Sequence, residues 1–300
     1  MKNKGIYLAL STAVISGFAV FFNKFAGSFW NDSFVFTTVK NIPVGLAFLG
    51  IIFAPKFFKE IKKLNKKQWV YLLSISLIGG TIPFLMFFKG LTLTSAANAA
   101  FIHKTLFIWV GFLAMIFLKE KLGKIQLGAF GLLFAGNFIL GGLKSWQFGA
   151  GDFLIFGAAI LWSVEYILAK KVLADTSPEI VGWARMFFGS VFLILFLTAT
   201  GRANGLLSIN LLQAKWILLS SAMLFGYVFT WYKALKLENA SLVTCLLVPA
   251  SLITTLLNSI FVTGRFSAGQ AYASLLFSLA LVLIIKFRPQ KFYAIAKQTN

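Results

Sequence analysis

Four charged side chains lie inside long apolar segments of the chain. Lys40, Lys104, Glu165 and Arg185 each fall well within a stretch of about 20 apolar residues, the length that crosses a bilayer. A charge at the centre of a bilayer costs about 2.5–3.5 kcal/mol unless water or an opposite charge accompanies it. The sequence therefore predicts that these side chains face a polar cavity or one another.

Glu165 is the acid that we place inside the hydrocarbon, and the chemistry it offers is proton exchange. Trp162 and Ala169 share its helical face, which predicts a wall of small and aromatic groups around the carboxylate. Loss of water favours the neutral form of a carboxylic acid, so Glu165 is a candidate proton carrier, with His103 as the alternative. The competing interpretation is a structural ion pair between Glu165 and Lys104 or Lys40.

The stretch 98–105 concentrates polar groups within the fourth apolar segment. Lys104 has the charge to pair with a substrate carboxylate, and Glu165 can pair with an amine or carry a proton. Aromatic rings nearby can contact an apolar part of the same ligand. The predicted substrate-binding residues are Asn98, Phe101, His103, Lys104, Trp162, Glu165 and Tyr232.

Lys40 and Arg185 occupy equivalent places in the second and seventh segments. One interpretation is structural, since a long basic side chain can reach toward the nearer membrane surface. The functional interpretation is that the two charges create a positive potential in two vestibules. A separate hinge is predicted at Gly79, Gly80 and Pro83, where helix-breaking residues interrupt the third segment. The alternative there is a static bend supported by neighbouring helices.

Composition places the chain among polytopic membrane proteins. It is 59% hydrophobic and 12% charged, whereas soluble domains carry about 25% charged residues. We therefore predict an all-α protein with ten transmembrane helices. The ten apolar segments cover residues 6–25, 34–54, 69–88, 96–118, 125–143, 152–170, 179–199, 214–233, 240–262 and 268–286.

The formal net charge of +20 reflects the turns between these segments. Most basic residues fall on the side that carries the N-terminus, which predicts that both termini are cytoplasmic in a plasma or inner membrane. A nucleic-acid binder would instead gather its basic residues on a soluble face. One Cys and one His cannot form a structural zinc site, so we expect neither a metal nor a cofactor.

The two halves of the chain resemble each other. Residues 88–93 return as residues 232–237, about 144 positions later, and Gln126 meets Gln270 in the same register. Each half has five segments, so the second copy must cross the membrane in the opposite sense. We predict two inverted five-helix repeats, 1–146 and 147–287, followed by a cytoplasmic tail, 288–300. In such proteins the substrate site lies near the bilayer midplane.

Each half resembles the EamA-type repeat of the drug/metabolite transporter superfamily. The resemblance rests on an Ala-rich stretch at 96–100 and at Ala240, on Glu120 after the fourth segment, and on a Gln in the fifth segment of each half. Pro249 matches the mid-helix proline of this repeat, whereas Thr105 and Gly264 depart from the pattern where a proline and a glutamate would stand.

The resemblance implies a secondary transporter, either an exporter or an exchanger. With the buried charges, it suggests a small zwitterionic or anionic metabolite, most simply an amino acid or a similar compound. A nucleotide-like cofactor or a drug-like compound is the alternative substrate. A polytopic membrane enzyme or a structural subunit is the rival class, but the chain has no His-Glu-x-x-His or Gly-x-Gly-Asp motif, so we expect no enzyme. Expected partners are the substrate, the bilayer and protons, with no nucleic acid, for a monomer or homodimer.

Overall fold

The computed structural model describes residues 3–94, 96–141 and 148–288, and in these ranges it contains helices and turns but no strand. Fifteen α-helices follow one another in this part of the chain. They are α1 Lys4–Ser28, α2 Ser33–Ile52, α3 Pro55–Ile61, α4 Lys66–Ile78, α5 Ile82–Leu91, α6 Ala96–Lys104, α7 Leu106–Phe117, α8 Lys124–Gly141, α9 Ala150–Val172, α10 Pro178–Trp183, α11 Gly189–Ala199, α12 Leu211–Leu237, α13 Ala240–Leu247, α14 Ala250–Asn258 and α15 Ala268–Lys286.

The helices account for ten membrane spans. Within the described ranges, nine helical stretches are long and apolar enough to cross a bilayer, and a shorter apolar stretch, Phe101–Phe117, supplies the remaining span. Several spans combine two helices, such as Lys66–Leu91, which contains α4 and α5. The all-helical, ten-span prediction is confirmed.

The fourth and ninth spans break at equivalent positions. Between α13 and α14 stands Pro249, which has no backbone N–H to continue the helix. Between α6 and α7 stands Thr105, whose Oγ1 donates to the Ile102 carbonyl at 2.7 Å. A hydroxyl that bonds the preceding turn competes with the helical hydrogen bonds. The fourth span is therefore broken at Thr105, although the proline expected from the repeat pattern is missing at this position.

The first span of each half packs into the other half. Helix α1 lies against α12, α13 and α14, whereas α9 lies against α4, α5, α6 and α7. Spans one and six occupy equivalent places in the two repeats, so the exchange is reciprocal. One continuous apolar core results, with buried residues from both halves.

Helices α8 and α15 pack along each other at the side of the bundle. Gly136 lies against the Phe277 ring, where a Cβ would approach a ring carbon to 2.6 Å. Gly128 and Gly131 have no described heavy atom within 4 Å of such a Cβ, so they face outward. The single cysteine, Cys245 on α13, is buried at 1% exposure.

Polar contacts stabilise the ends of α12 and α13 at the end of the bundle where α1 begins. Glu120 accepts from the backbone N–H of Ala240 at 2.7 Å, which places a negative charge at the N-terminus of α13. Lys170 donates from Nζ to the carbonyl oxygens of Leu235 at 2.7 Å and Glu238 at 2.6 Å, at the C-terminus of α12. Both charges therefore match the helix dipoles that they contact.

At the opposite end, Arg202 pairs with Asp32, with Nη1 and Oδ2 separated by 2.6 Å. Asp32 also accepts from the Phe34 N–H and begins α2. Partial burial raises the pKa of the Asp32 carboxyl, but the hydrogen bond and the charge of Arg202 outweigh burial, so the pKa lies below its ordinary value of 3.8.

Candidate functional site

A buried cluster of three side chains lies in the middle of the helical bundle. Tyr232 on α12 donates its hydroxyl to Glu165 Oε1 on α9 at 2.6 Å. Arg185 Nη1 lies 3.5 Å from Glu165 Oε2 and 3.3 Å from the Tyr232 hydroxyl. Glu165 is therefore paired with Arg185, whereas the sequence interpretation offered Lys104 or Lys40 as its partner.

A π-helical turn, Ala184–Phe188, connects α10 to α11 and carries Arg185. Such turns add one residue to a helix and are frequent at functional sites. The extra residue changes the direction of the side chains in and after the turn. The 3.6-residue periodicity of an α-helix therefore does not predict the direction of Arg185. Sequence analysis found the charge but not its direction.

The predicted hinge lies against this cluster. The helix stops after Ile78 and resumes at Ile82, and Pro83 stands in the first turn of α5, where its missing N–H costs nothing. The Gly79 carbonyl left unpaired by the break accepts from Trp162 Nε1 at 3.0 Å and Arg185 Nη2 at 3.2 Å.

Both glycines at the break are required by close contacts. A Cβ on Gly79 would lie 2.4 Å from Glu165 Cγ, and one on Gly80 would lie 2.2 Å from the Arg185 carbonyl oxygen. The contact at Gly80 is a close crossing of two backbones, whereas Gly79 packs against the side chain of Glu165. Movement at the break remains a prediction.

Lys40 lies among three aromatic rings. Its Nζ is 4.1 Å from the centroid of Phe88, 5.4 Å from that of Phe36 and 5.6 Å from that of Phe84. Arg185 also lies over Phe84, with its Cζ 5.9 Å from the centroid. Ring faces attract cations and replace part of the lost water. Lys40 and Arg185 are each 2% exposed, so this conformation places them in the core and not in open vestibules.

A small cavity of about 10 Å³ lies where α6 and α7 meet α9 and α13, and it has room for about one water molecule. Lys104 lines it and is 7% exposed, and its Nζ finds no hydrogen-bond acceptor among the described residues. The lining residues are His103, Lys104, Leu106, Phe107, Tyr166, Thr244, Leu247 and Val248.

Aromatic contacts connect the cavity to the cluster of Glu165, Arg185 and Tyr232, here called the charge cluster. The His103 ring lies 5.0 Å from Phe87 and 5.2 Å from Trp162, and Trp162 bonds the Gly79 carbonyl beside Arg185. Tyr166 lines the cavity and follows Glu165 in the chain, and its hydroxyl is 3.2 Å from that of Tyr227.

Of the predicted binding residues, the structure places His103 and Lys104 in the cavity wall and Trp162, Glu165 and Tyr232 around the charge cluster. Phe101 lies elsewhere, packed on Phe134 and Phe138 of α8, and Asn98 is buried on the same helix but does not line the cavity. Sequence analysis missed Tyr166 and Thr244, which are ordinary residues for an apolar helix and carry no charge to single them out.

Two interlocked five-helix repeats with charges buried between them define a membrane transporter of the inverted-repeat class. The sequence pattern of the EamA-like transporter family matches residues 3–142 and again residues 149–286. The chain belongs to this family.

Similar proteins agree with this assignment. A protein named "Uncharacterized transporter" from Archaeoglobus fulgidus is 28% identical over 222 residues, which cover 69% of this chain and 76% of that protein. "Uncharacterized transporter YyaM" from Bacillus subtilis is 23% identical over 252 residues, covering 80% and 81% of the two chains. A solved structure titled "Crystal structure of protein" shares the fold, with a TM-score of 0.79 at 15% identity over 96% of this chain and 98% of that one.

Proposed function

We propose that this transporter is a secondary carrier of a small anionic or zwitterionic metabolite, an amino acid or a compound like one. The observation that carries the proposal is Lys104, a buried cation whose Nζ lacks an acceptor in the described part of the chain and which lines a cavity between the two repeats. A buried charge without a partner is costly, so a substrate carboxylate would satisfy it.

Alternating access fits the small size of this cavity. Ligand sites for small molecules usually measure about 300 Å³ or more, whereas the cavity beside Lys104 holds about 10 Å³. The described conformation therefore leaves no room for such a ligand beside Lys104. Substrate entry requires the α6–α7 wall to separate from α9 and α13, which belong to the other repeat.

Glu165 is proposed as the proton carrier, with His103 as the alternative. Glu165 Oε1 accepts from Tyr232, and Oε2 forms an ion pair with Arg185 at 3.5 Å but has no hydrogen bond among the described residues. The carboxylate is therefore already paired with a cation in this conformation and unsuited to hold a substrate amine. Protonation would remove its attraction to Arg185 and free that cation. Proton binding could thus shift the equilibrium between two conformations of the bundle.

The first experiment replaces Lys104 by methionine and measures substrate binding by the purified protein. A screen of amino acids, nucleotides and cofactors for thermal stabilisation of the parent identifies the ligand, since a ligand of the native state raises its stability. Lys104→Met should abolish binding while leaving folding intact, because removal of a buried charge relieves its desolvation. Lys215→Met, at an exposed position of α12, is the matched control. Unchanged binding by Lys104→Met would reject the site.

The second experiment tests Glu165→Gln in proteoliposomes containing equal amounts of folded protein. The variant should lose accumulation driven by a pH gradient yet retain exchange of substrate for substrate, because exchange need not release the proton. Accumulation equal to that of the parent would show that Glu165 is structural, and His103→Gln would then be the variant to test.

A further inference from the structure

The buried charges in the centre of the bundle do not balance. Among the described residues, Lys40, Lys104 and Arg185 are buried cations of the spans' interior, whereas Glu165 is the acid that accompanies them. The other buried acids lie at helix ends: Glu120 contacts the start of α13, Asp152 lies in the first turn of α9, and Glu238 follows the last residue of α12. Two basic side chains, Lys40 and Lys104, are therefore left without an acidic partner in this region.

Glu165 cannot serve these two lysines in the described conformation. Its one ion-pair partner in the described ranges is Arg185, and Tyr232 holds its other oxygen. Lys40 rests on ring faces, which contribute less to a buried cation than a full opposite charge does. Lys104 has no acceptor among the residues that the structure describes.

A short chain of aromatic contacts leads from Lys40 to His103, the residue before Lys104. Lys40 Nζ is 4.1 Å from the Phe88 centroid, Phe88 is 5.6 Å from Phe87, and Phe87 is 5.0 Å from the ring of His103, which precedes Lys104. Lys40 thus contacts one side of an aromatic wall, Phe87 and Phe88, and the part of α6 that carries His103 and Lys104 lies against the other side. Parting of the Phe87–Phe88 wall from α6 during opening would expose both cations to one ligand.

We infer that the substrate carries net negative charge, with one acid group at Lys104 and a second acid group balanced by Lys40. This inference rests on the proposed function, because it concerns the ligand of the same site. A neutral zwitterion would bring its ammonium group into a region that already has two basic side chains without an acidic partner. A dianion, such as a dicarboxylate, neutralises both.

The experiment compares thermal stabilisation and proteoliposome uptake for three small probes: succinate, aspartate and alanine. The tested variants are Lys40→Met, which removes the charge at similar length, Lys40→Arg, which keeps it, and Lys104→Met. In general, a unit charge within about 10 Å of an acid group, at an effective dielectric constant near 20, changes affinity roughly tenfold or more. The parent should therefore prefer succinate and aspartate to alanine by about tenfold or more.

Lys40→Met should remove most of this preference by weakening the two diacids while leaving alanine unaffected, and Lys40→Arg should restore it. Equal affinity of the parent for alanine and succinate, or a preference that survives Lys40→Met, would overturn the inference. If the inference is overturned but Lys104→Met loses all binding, the proposed function of Lys104 is still supported. Full uptake of the probes by Lys104→Met would reject the proposed function itself.

Discussion

The contact between Glu165 and Arg185 joins two groups that differ in how they can lose their charge. A carboxylate in an apolar core can bind a proton, whereas a guanidinium stays charged in proteins. Arg185 therefore depends on Glu165 more than Glu165 depends on Arg185. The Gly79 carbonyl and the Tyr232 hydroxyl accept hydrogen bonds from the arginine but supply no full charge, and its Nε finds no acceptor among the described residues.

This asymmetry predicts unequal costs for the two single substitutions. Glu165→Gln leaves a buried arginine without an opposite charge and should lower the free energy of unfolding by roughly 3 kcal/mol. Arg185→Met should cost less, because Glu165 can become neutral. The double variant should regain part of the stability, which a double-mutant cycle in detergent measures. Additive losses would contradict the pairing.

Sequence reasoning found the buried charges of this site because a charged residue in an apolar span is conspicuous. It did not find their pairing, since the pairing depends on helix rotation and depth. Arg185 lies within the π-helical turn Ala184–Phe188, which changes the direction of its side chain. Nothing in the sequence of that turn indicates a π-helix. Tyr166 and Thr244 were missed for a related reason: uncharged residues of a span give no sign of the cavity they line.

At the scale of helices, Gly80 lies in the break between α4 and α5, directly against the backbone of the π-helical turn. A methyl group at Gly80 would meet the backbone oxygen of Arg185 at 2.2 Å, and a backbone atom cannot turn aside as a side chain can. Gly80→Ala should therefore destabilise the protein by about 1–3 kcal/mol.

Gly131→Ala is the matched control, because Gly131 on α8 faces open space. That substitution should be neutral or stabilise by about 0.5–1 kcal/mol, since alanine favours a helix more than glycine does. Thermal unfolding of the two variants in the same detergent makes the comparison. Equal stabilities would show that the crossing at Gly80 opens freely, as a hinge would.

The pair of Asp32 and Arg202 gives the turn before α2 a pH dependence. Because the folded-state pKa of Asp32 lies below the unfolded value of 3.8, the contribution of the pair is present above that value. It is lost as the pH falls through the folded-state pKa. For an exposed pair the contribution is about 0.2–1 kcal/mol. Asp32→Asn should remove this loss of stability at low pH, as measured by thermal unfolding between pH 3 and pH 7. An unchanged dependence of stability on pH would assign the loss to other acidic residues.

At the scale of the whole molecule, the charge bias predicts the orientation in the membrane. In a Cys245→Ala background, a cysteine at Lys63 should be protected from an impermeant thiol reagent in intact cells, and one at Asn31 should react. Both positions are exposed in the structure. Reaction of the cysteine at Lys63 from outside would overturn the proposed orientation.

The number of spans was predictable because the bilayer imposes a minimum apolar length on each crossing. The reciprocal packing of α1 and α9 into the opposite repeats was not, because a lipid-facing helix and a buried one are equally apolar. Pro249 marked the break in the ninth span, whereas Thr105 gave no comparable signal for the break in the fourth.

The burial of Cys245 allows unfolding of the protein to be measured through the reactivity of its thiol. The chain has one thiol, and it is 1% exposed on α13. A thiol-reactive fluorophore should therefore label the folded protein very slowly and the unfolded protein quickly. Labelling against temperature would then measure stability in detergent with no engineered tag, and any compound that binds the folded state should delay it. Rapid labelling well below the unfolding temperature would mean that α13 leaves the core in the native ensemble, next to the cavity that Thr244 lines.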